Sequence, residues 1–165
     1  VDEKTRDQNA LERYIFYQER YLGHCDGQKH AEKQLASNKT RQKQAELKDE
    51  WNNRTRSTLT PVLSNTDMLP DFLIEANEQV VVCRRVLKYT YVFAFWHFED
   101  PKRRTMKDVF ENHQAQLERL TESLSESIER DFDQIDRPDV VNRTRVIGKF
   151  IRNVLKSVEC DVIGR

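Results

Sequence analysis

The chain has 165 residues, of which 34% are charged and 37% hydrophobic, and its 28 basic residues balance its 28 acidic ones. A formal net charge of zero gives no global field that would attract nucleic acid or a membrane, and no run approaches the about 20 apolar residues of a membrane span. With only four Gly and four Pro, the composition disfavours the many turns of an all-β fold and favours long helices with wide solvated faces.

The cysteines give no sign of a disulfide framework or a zinc site, because Cys25, Cys83 and Cys160 lie far apart in the sequence. The first ten residues are polar, so we expect no signal peptide. We therefore expect reduced thiols, no metal or cofactor in this chain, and a cytoplasmic location with the nucleus as the alternative. Cys25 follows His24, but adjacent residues diverge on a helix, so an exposed or capping role is expected for Cys25.

Motifs of common enzymes are missing from the sequence. It contains no Gly-rich phosphate loop, no His-x-x-x-His pair, no Cys-x-x-Cys and no Gly-x-Ser-x-Gly. We therefore expect no catalytic residue in this chain.

The N-terminal third predicts two helices. Apolar and aromatic residues recur at helical spacing between Leu11 and Leu22, and Gly23 and Gly27 are expected to break or bend the chain there. Residues 28–58 are rich in helix-forming residues and are basic, with few apolar positions. Nucleic-acid binding is the less favoured interpretation of this basic segment, because no aromatic stacking pattern accompanies the charge. A loop is expected near residues 59–66.

Residues 69–98 predict one long helix. Apolar residues recur at steps of three or four, and the same frame continues through the sequence YTYVFAFW at 89–96. Aromatic content alone favours a strand, which is the alternative, but a strand needs a turn signal at its start and none is present before Pro101. The C-terminal half is apolar on nearly every side, so we expect it to be central to the core.

Two more helices complete the prediction. Apolar residues recur at helical spacing from Met106 to Phe132 and from Val141 to Val158. Asp136 is expected to cap the last helix, with Pro138 in its first turn. The predicted fold is an all-α, elongated bundle of about four to five long helices, in a single domain covering residues 1–165.

The fourth predicted helix has an acidic face. From residue 111 to 136, acidic residues far outnumber the basic ones. Such a face is either ordinary solvated surface or a docking surface for a basic or donor-rich partner. The acidic residues that share this face are Glu118, Glu122, Glu126 and Glu129.

Four blocks of the sequence resemble a known family. They are ALERYIFYQERYLGH at 10–24, CRRVLKYTYVFAFW at 83–96, VFENHQAQLERLTESLS at 109–125 and IERDF at 128–132. In this order they are similar to the Ariadne domain, the C-terminal helical domain of Ariadne-type RING-between-RING (RBR) ubiquitin ligases. The final helix fits the family more loosely. The resemblance implies that the aromatic stretch is helical and that the chain is a fragment of a larger ligase.

The resemblance also implies a regulatory function. In this family the Ariadne domain folds back over the catalytic cysteine of the second RING and keeps the ligase inactive until a neddylated cullin–RING ligase binds. The expected partners are therefore the second RING of the same chain, a neddylated cullin–RING ligase and, through the parent's RING, a ubiquitin-conjugating enzyme. Zinc is expected in the RING modules of the parent, and no transferase activity in this chain alone. A purely structural bundle that scaffolds or self-associates is the alternative function.

The residues expected at the inhibitory surface follow from the same resemblance. Glu129 in SIERDF matches the family's glutamate that faces the second RING, and Glu126 belongs to the same acidic face. The family's second contact is a Phe-Glu pair just after the first helix. A gapless alignment from RYLGH puts His30 and Ala31 there, with Glu32 one place later. Either the alignment shifts by one residue, or this protein holds its catalytic domain differently.

Overall fold

Four long helices form the protein in a computed structural model that describes residues 3–55, 70–99 and 101–163. The helices are α1 (Glu3–Thr55), α2 (Asp71–His97), α3 (Arg104–Ile128) and α4 (Arg137–Ile163). Short 3-10 turns at Pro101–Arg103 and Phe132–Gln134 precede α3 and α4. The described ranges hold no strand, so the predicted all-α bundle is confirmed. The loop predicted near residues 59–66 lies outside the described residues.

α1 is one continuous helix of 53 residues, roughly 80 Å long at about 1.5 Å per residue. The predicted break at Gly23 and Gly27 is therefore wrong, and the two predicted N-terminal helices are a single element. A glycine inside a helix costs only about 0.5–1 kcal/mol relative to alanine. Packing of α1 along α2 offsets that cost, so the helix runs through both positions.

α2 is helical through the aromatic stretch, which excludes the strand alternative. It begins at Asp71 after Pro70, and the Phe98 N–H donates to the Ala94 carbonyl at its end, 3.3 Å away. α2 packs against α1, α3 and α4 and is therefore the central helix of the bundle. None of the helices within the described ranges is long and apolar enough to cross a membrane.

The C-terminal half of α2 is only partly buried, although its apolar sequence predicted that it would be central to the core. Tyr89, Val92 and Trp96 are exposed, and Trp96 keeps 71% of its surface accessible. The three neighbouring helices cover only part of the circumference of α2, and these residues lie on the part that is left open.

The core has two parts. The larger cluster joins α2, α3 and α4 through fully buried Leu87, Leu117, Leu124 and Ile147. The smaller cluster is aromatic and lies near the C-terminal end of α2. Its buried members are Tyr17, Tyr91, Ala94, Phe98 and Phe110.

The predicted helix from Met106 to Phe132 is wrong at its C-terminal end, whereas the predicted start of the last helix is correct. α3 ends at Ile128, so Phe132 does not extend its buried stripe but lies in the following turn with 62% of its surface exposed. Met106 is also exposed. α4 begins as predicted, because the Asp139 N–H donates to Asp136 Oδ1 at 3.3 Å and Pro138 lies in the first turn.

Candidate functional site

A groove runs between α1 and α3 and consists of two adjoining cavities. The first has a volume of about 590 Å³ and is bordered by Arg20 and His24 of α1 and Glu118 of α3. The second has a volume of about 360 Å³ and lies further along both helices. Arg84, Glu122 and Glu126 border both cavities. We call the two cavities together the α1–α3 groove.

The second cavity brings together four of the five residues expected at the inhibitory surface. His30 and Ala31 line it from α1, and Glu126 and Glu129 line it from the C-terminal end of α3. Ala31 is buried, whereas the other three are exposed. The Ser125 hydroxyl donates to Glu129 Oε1 at 3.0 Å. The structure thus brings these four residues together, and their docking role stays a prediction.

Glu32 lies outside the groove. Its carboxylate accepts a hydrogen bond from Gln28 Nε2 at 2.6 Å, and Arg85 Nη2 of α2 lies 3.9 Å from it. With 3.6 residues per turn, His30 and Glu32 point to widely different sides of α1. The structure therefore separates Glu32 from the other four residues.

Arg84 of α2 lies where the two cavities of the groove meet. Its guanidinium donates two hydrogen bonds to the Glu122 carboxylate, at 2.7 and 3.0 Å, a bidentate geometry that is stronger than a single ion pair. A Cβ atom at Gly27 would lie only 3.1 Å from Arg84 Nε. The absence of a side chain at Gly27 thus allows Arg84 to pass from α2 over α1 to α3.

A buried polar network lies in the first cavity around Glu118. His24 Nε2 lies 2.8 Å from Glu118 Oε1, and the Tyr91 hydroxyl donates to the same oxygen at 2.6 Å. Because an ionised carboxylate can only accept, His24 Nε2 carries the proton. Arg20 Nη1 lies 3.8 Å from the other oxygen, and the His24 ring stacks on Tyr91 with 5.5 Å between centroids. One carboxylate thus ties α1, α2 and α3 together.

The network shifts the pKa values of its members in opposite directions. Burial by itself raises the pKa of Glu118, but hydrogen bonds from His24 and Tyr91, with the nearby charge of Arg20, outweigh burial and lower that pKa below its usual value. Burial, and then the hydrogen bond to Glu118, raise the pKa of Tyr91 well above its usual value. The carboxylate is therefore held ionised and the phenol neutral.

The thiols of the described side chains do not form a reactive site with this network. Cys25 is half-buried in the middle of α1, so the expected exposed or capping role is wrong. Cys83 is buried in the larger core cluster, and burial raises the pKa of its thiol. Among the described residues, no group of His, Cys, Asp and Glu side chains could hold a metal ion.

Sequence reasoning missed the role of His24 and treated Glu118 as part of a solvated or docking face. One signal was available, because His24 follows the buried Tyr17 by seven residues and so lies on the same side of α1. Its partner could not be found in this way, since the contact joins residues on two helices that are far apart in sequence.

The fold and the groove define the class of this protein as an all-α bundle with a charged interhelical surface. The chain belongs to the Ariadne domain family, because the family model for the Ariadne domain matches residues 12–164. The predicted family is therefore confirmed.

Several proteins are similar to most of the chain. The chain is 30% identical over 175 residues to "Probable E3 ubiquitin-protein ligase rbrA" of Dictyostelium discoideum. This alignment covers 99% of this chain and 30% of that protein. It is 32% identical over 145 residues to human "E3 ubiquitin-protein ligase ARIH1", covering 87% of this chain and 22% of that protein. It is also 32% identical to "E3 ubiquitin-protein ligase arih1l" of Danio rerio, covering 87% of this chain and 24% of that protein. The chain thus spans less than a third of the length of these relatives.

Proposed function

We propose that this chain is the regulatory helical domain of an RBR E3 ubiquitin-protein ligase, and that it docks on the second RING of the same protein to inhibit ubiquitin transfer. The observation that carries the proposal is the second cavity of the α1–α3 groove. His30 and Ala31 of α1 meet Glu126 and Glu129 of α3 there. One partner surface can therefore touch both segments at the same time.

The chemistry of this surface suits a contact that must be reversible. Glu126 and Glu129 are exposed, so their contacts with a basic or donor-rich partner gain specificity and are weakened by salt. Autoinhibition also needs little free energy. A preference of about 2.7 kcal/mol for the docked state leaves only about 1% of the molecules open.

In this proposal, competition releases the domain from the second RING. A neddylated cullin–RING ligase binds the opened form and so shifts the equilibrium away from the docked state. The parent's RING binds the ubiquitin-conjugating enzyme, zinc is held in the RING modules, and the second RING carries the catalytic cysteine. This chain supplies the inhibitory surface and no catalytic group, and it acts in the cytoplasm, with the nucleus as the alternative.

The test adds this chain in trans to the remaining part of the same ligase and follows autoubiquitination. We expect dose-dependent inhibition, and we expect Glu129→Ala to raise the concentration needed for half-inhibition by about tenfold, which corresponds to about 1.4 kcal/mol of docking energy. The matched control is Glu50→Ala, at an exposed position of α1 far along the helix from the groove. It should inhibit like the unchanged chain.

The proposal fails if two results occur together. Saturating amounts of the folded chain do not slow autoubiquitination in trans, and removal of this domain from the full-length ligase does not speed it. If Glu129→Ala and Glu50→Ala inhibit equally, the proposed docking surface is wrong. Circular dichroism of both variants establishes that they are folded.

Self-association is the second candidate function, and one observation favours it. An exposed apolar stripe on α2 consists of Tyr89, Val92 and Trp96. The exposed Tyr14 of α1 lines the same apolar cavity as Val92 and Trp96. Exposed patches of this kind are often interaction surfaces. A molecular mass that rises with concentration in light scattering would support this candidate, and a constant monomer mass would exclude it.

A further inference from the structure

The side of α2 that faces solvent has the spacing of a helix–helix contact. Its exposed residues between 82 and 96 recur at steps of three and four, the spacing that presents one continuous edge to a partner helix. Most of them are apolar or aromatic, from Val82 at 41% exposed to Trp96 at 71%. We call this edge the α2 seam, and it consists of Val82, Arg85, Tyr89, Val92 and Trp96.

α1 forms an aromatic wall along one side of the α2 seam. Tyr14 and Tyr21 of α1 line a cavity of about 190 Å³ together with Val92 and Trp96 of the seam. Exposed aromatic and aliphatic side chains grouped in this way are typical of a surface that another protein covers. The cavity gives an apolar side chain of a docked helix a place to insert.

α4 forms a basic wall along the other side. Residues 140–158 contain five basic residues and no acidic one. Four of the five are exposed and recur at steps of four, three and four, so they share one side of α4. We call them the α4 basic row, which consists of Arg145, Lys149, Arg152 and Lys156.

The α4 basic row lies next to α2 where the seam begins. A Cβ atom added at Gly148 would lie 3.5 Å from Gln79 Oε1 of α2 and 3.7 Å from Arg152 Nη1, so Arg152 and Gln79 are neighbours. Gln79 precedes Val82 by three residues and lies beside it on the helix surface. The two walls and the seam thus form a valley with α2 as its floor.

The cations of the α4 basic row have no ion pair with any residue that the structure describes. Arg143 of the same helix, by contrast, is paired with Asp139 at 2.6 Å. Unpaired cations beside an apolar edge are complementary to a partner that carries carboxylates next to its own apolar edge.

A second copy of the chain is the alternative occupant of the valley, and it fits less well. Its own seam would supply apolar contacts, but it offers few free carboxylates beside that seam. The Lys39 ammonium donates to Glu78 Oε1 at 2.6 Å, and Glu32 lies 3.9 Å from Arg85. These two carboxylates are already engaged within the chain, so a separate acidic helix matches the valley better.

We propose that the α2 seam and the α4 basic row together bind an amphipathic helix of a partner protein, with apolar residues along one edge and carboxylates beside that edge. The helix lies in the valley between α1 and α4. Its apolar edge packs on Tyr89, Val92 and Trp96, and its carboxylates pair with Arg152 and Lys156.

This surface is separate from the α1–α3 groove. α1 borders the groove through Gly23, Gly27 and His30, whereas Tyr14 and Tyr21 border the cavity beside the seam. With 3.6 residues per turn, Tyr21 and Gly27 point about 120° apart. The inference therefore does not rest on the proposed inhibition of ubiquitin transfer.

The test measures the binding of a fluorescein-labelled synthetic peptide of about three heptads by anisotropy. Leucine occupies the heptad positions a and d, and glutamate occupies e and g, which also keeps the peptides from pairing with each other because like charges repel. We expect saturable binding that weakens as salt is raised. The matched probe has lysine at e and g and should bind at least about tenfold more weakly.

Variants of the chain test the two parts of the surface. Trp96→Ala should weaken binding of the acidic peptide at least about tenfold, because interface tryptophans often dominate binding. Arg152→Gln combined with Lys156→Gln should weaken it at least about fivefold and reduce its salt dependence. The matched control combines Lys33→Gln with Arg119→Gln, which removes the same charge at exposed positions of α1 and α3 and should leave binding unchanged.

Several results would overturn the inference. They are the absence of saturable binding, equal affinity for the acidic and the basic peptide, and unchanged affinity in the Arg152 and Lys156 double variant. A chain that is dimeric by light scattering and that Trp96→Ala makes monomeric would show that a second copy occupies the valley. If Trp96→Ala does not fold by circular dichroism, the double variant decides.

Glu129→Ala distinguishes this surface from the α1–α3 groove. It should leave the affinity for the acidic peptide unchanged, and a loss as large as that of Trp96→Ala would place the peptide elsewhere. Inhibition in trans without peptide binding would overturn only the present inference, and peptide binding without inhibition would overturn only the proposed function.

Discussion

At the scale of single residues, the contact of His24, Tyr91 and Glu118 joins three helices through one carboxylate. The Glu118 side chain is 20% exposed, so its hydrogen bonds form in surroundings where they are stronger than in water. Removing its charge would leave His24 and Tyr91 with a weaker acceptor in a mostly buried position. We therefore expect this residue to contribute more to stability than the exposed glutamates of the same helix.

The prediction for Glu118→Gln is a loss of about 1.5–3 kcal/mol in the free energy of unfolding at pH 7, the range for hydrogen bonds to charged groups. The pKa of Glu118 is lowered in the folded state, so its contribution is present above the unfolded pKa of about 4.3. It is lost as the pH falls through the lower folded pKa. The difference between Glu118→Gln and the unchanged chain should thus shrink at acid pH.

Urea unfolding at pH 7, 5 and 4, and at lower pH, measures this difference. The control is Glu46→Gln, at an exposed position of α1, which should stay within about 0.5 kcal/mol at every pH. A difference for Glu118→Gln that does not depend on pH would contradict the lowered pKa.

At the scale of elements, α1 shows how packing overrides a local signal. Two glycines within five positions favour a break when the sequence is considered alone. Neither has a positive φ in the structure, so neither glycine is needed for its backbone conformation. Apart from the nearby backbone of α1 itself, a Cβ added at Gly23 would have no atom within 4 Å. A Cβ added at Gly27 would lie 3.1 Å from the Arg84 side chain. The two positions should therefore respond differently to the same substitution.

We predict that Gly23→Ala raises the free energy of unfolding by about 0.5–1 kcal/mol, since alanine loses less backbone entropy in a helix. Gly27→Ala should gain less stability than Gly23→Ala or lose stability, because its methyl group would press on the Arg84 side chain that binds Glu122. Urea unfolding of both variants gives the comparison, with Gly23→Ala as the internal control for helix propensity. Equal stabilisation by both substitutions would mean that Arg84 can move aside at no cost.

The exposed side of α2 gives a second lesson at this scale. Periodicity correctly predicted that residues 71–97 are helical, because the helical frame holds through Ala76, Cys83, Leu87 and Ala94, all of which are buried. It could not predict which of the remaining apolar residues face solvent. That depends on how many helices surround α2 and at which angles, and neither is encoded in the spacing of one segment.

At the scale of the whole molecule, the larger core cluster holds α2, α3 and α4 together. Leu117 lies in it and is fully buried, whereas Leu47 of α1 is largely exposed. Leu117→Ala should therefore lower the free energy of unfolding by about 2–5 kcal/mol through lost burial and the cavity left behind.

Leu47→Ala is the matched control and should stay within about 0.5 kcal/mol, because it removes little buried surface. Both values come from urea or thermal unfolding. A small effect of Leu117→Ala would mean that the helices around it collapse into the space, and hence that the bundle is packed less rigidly than the burial of Leu117 indicates.

The sequence by itself determined the helical class, the order of the elements and the family, because each depends on local spacing or on contiguous motifs such as YTYVFAFW and SIERDF. The start of α4 at Asp136 and Pro138 was likewise local. These features can be predicted from the sequence because the residues that specify them lie within one or two helical turns of each other.

Only the tertiary structure decided the continuity of α1, the Glu118 network, and the meeting of His30 and Ala31 with Glu126 and Glu129. It also separated Glu32 from that group. Each of these features depends on the relative position of different helices, and the free energy that sets that position is summed over the whole core rather than encoded in any one segment.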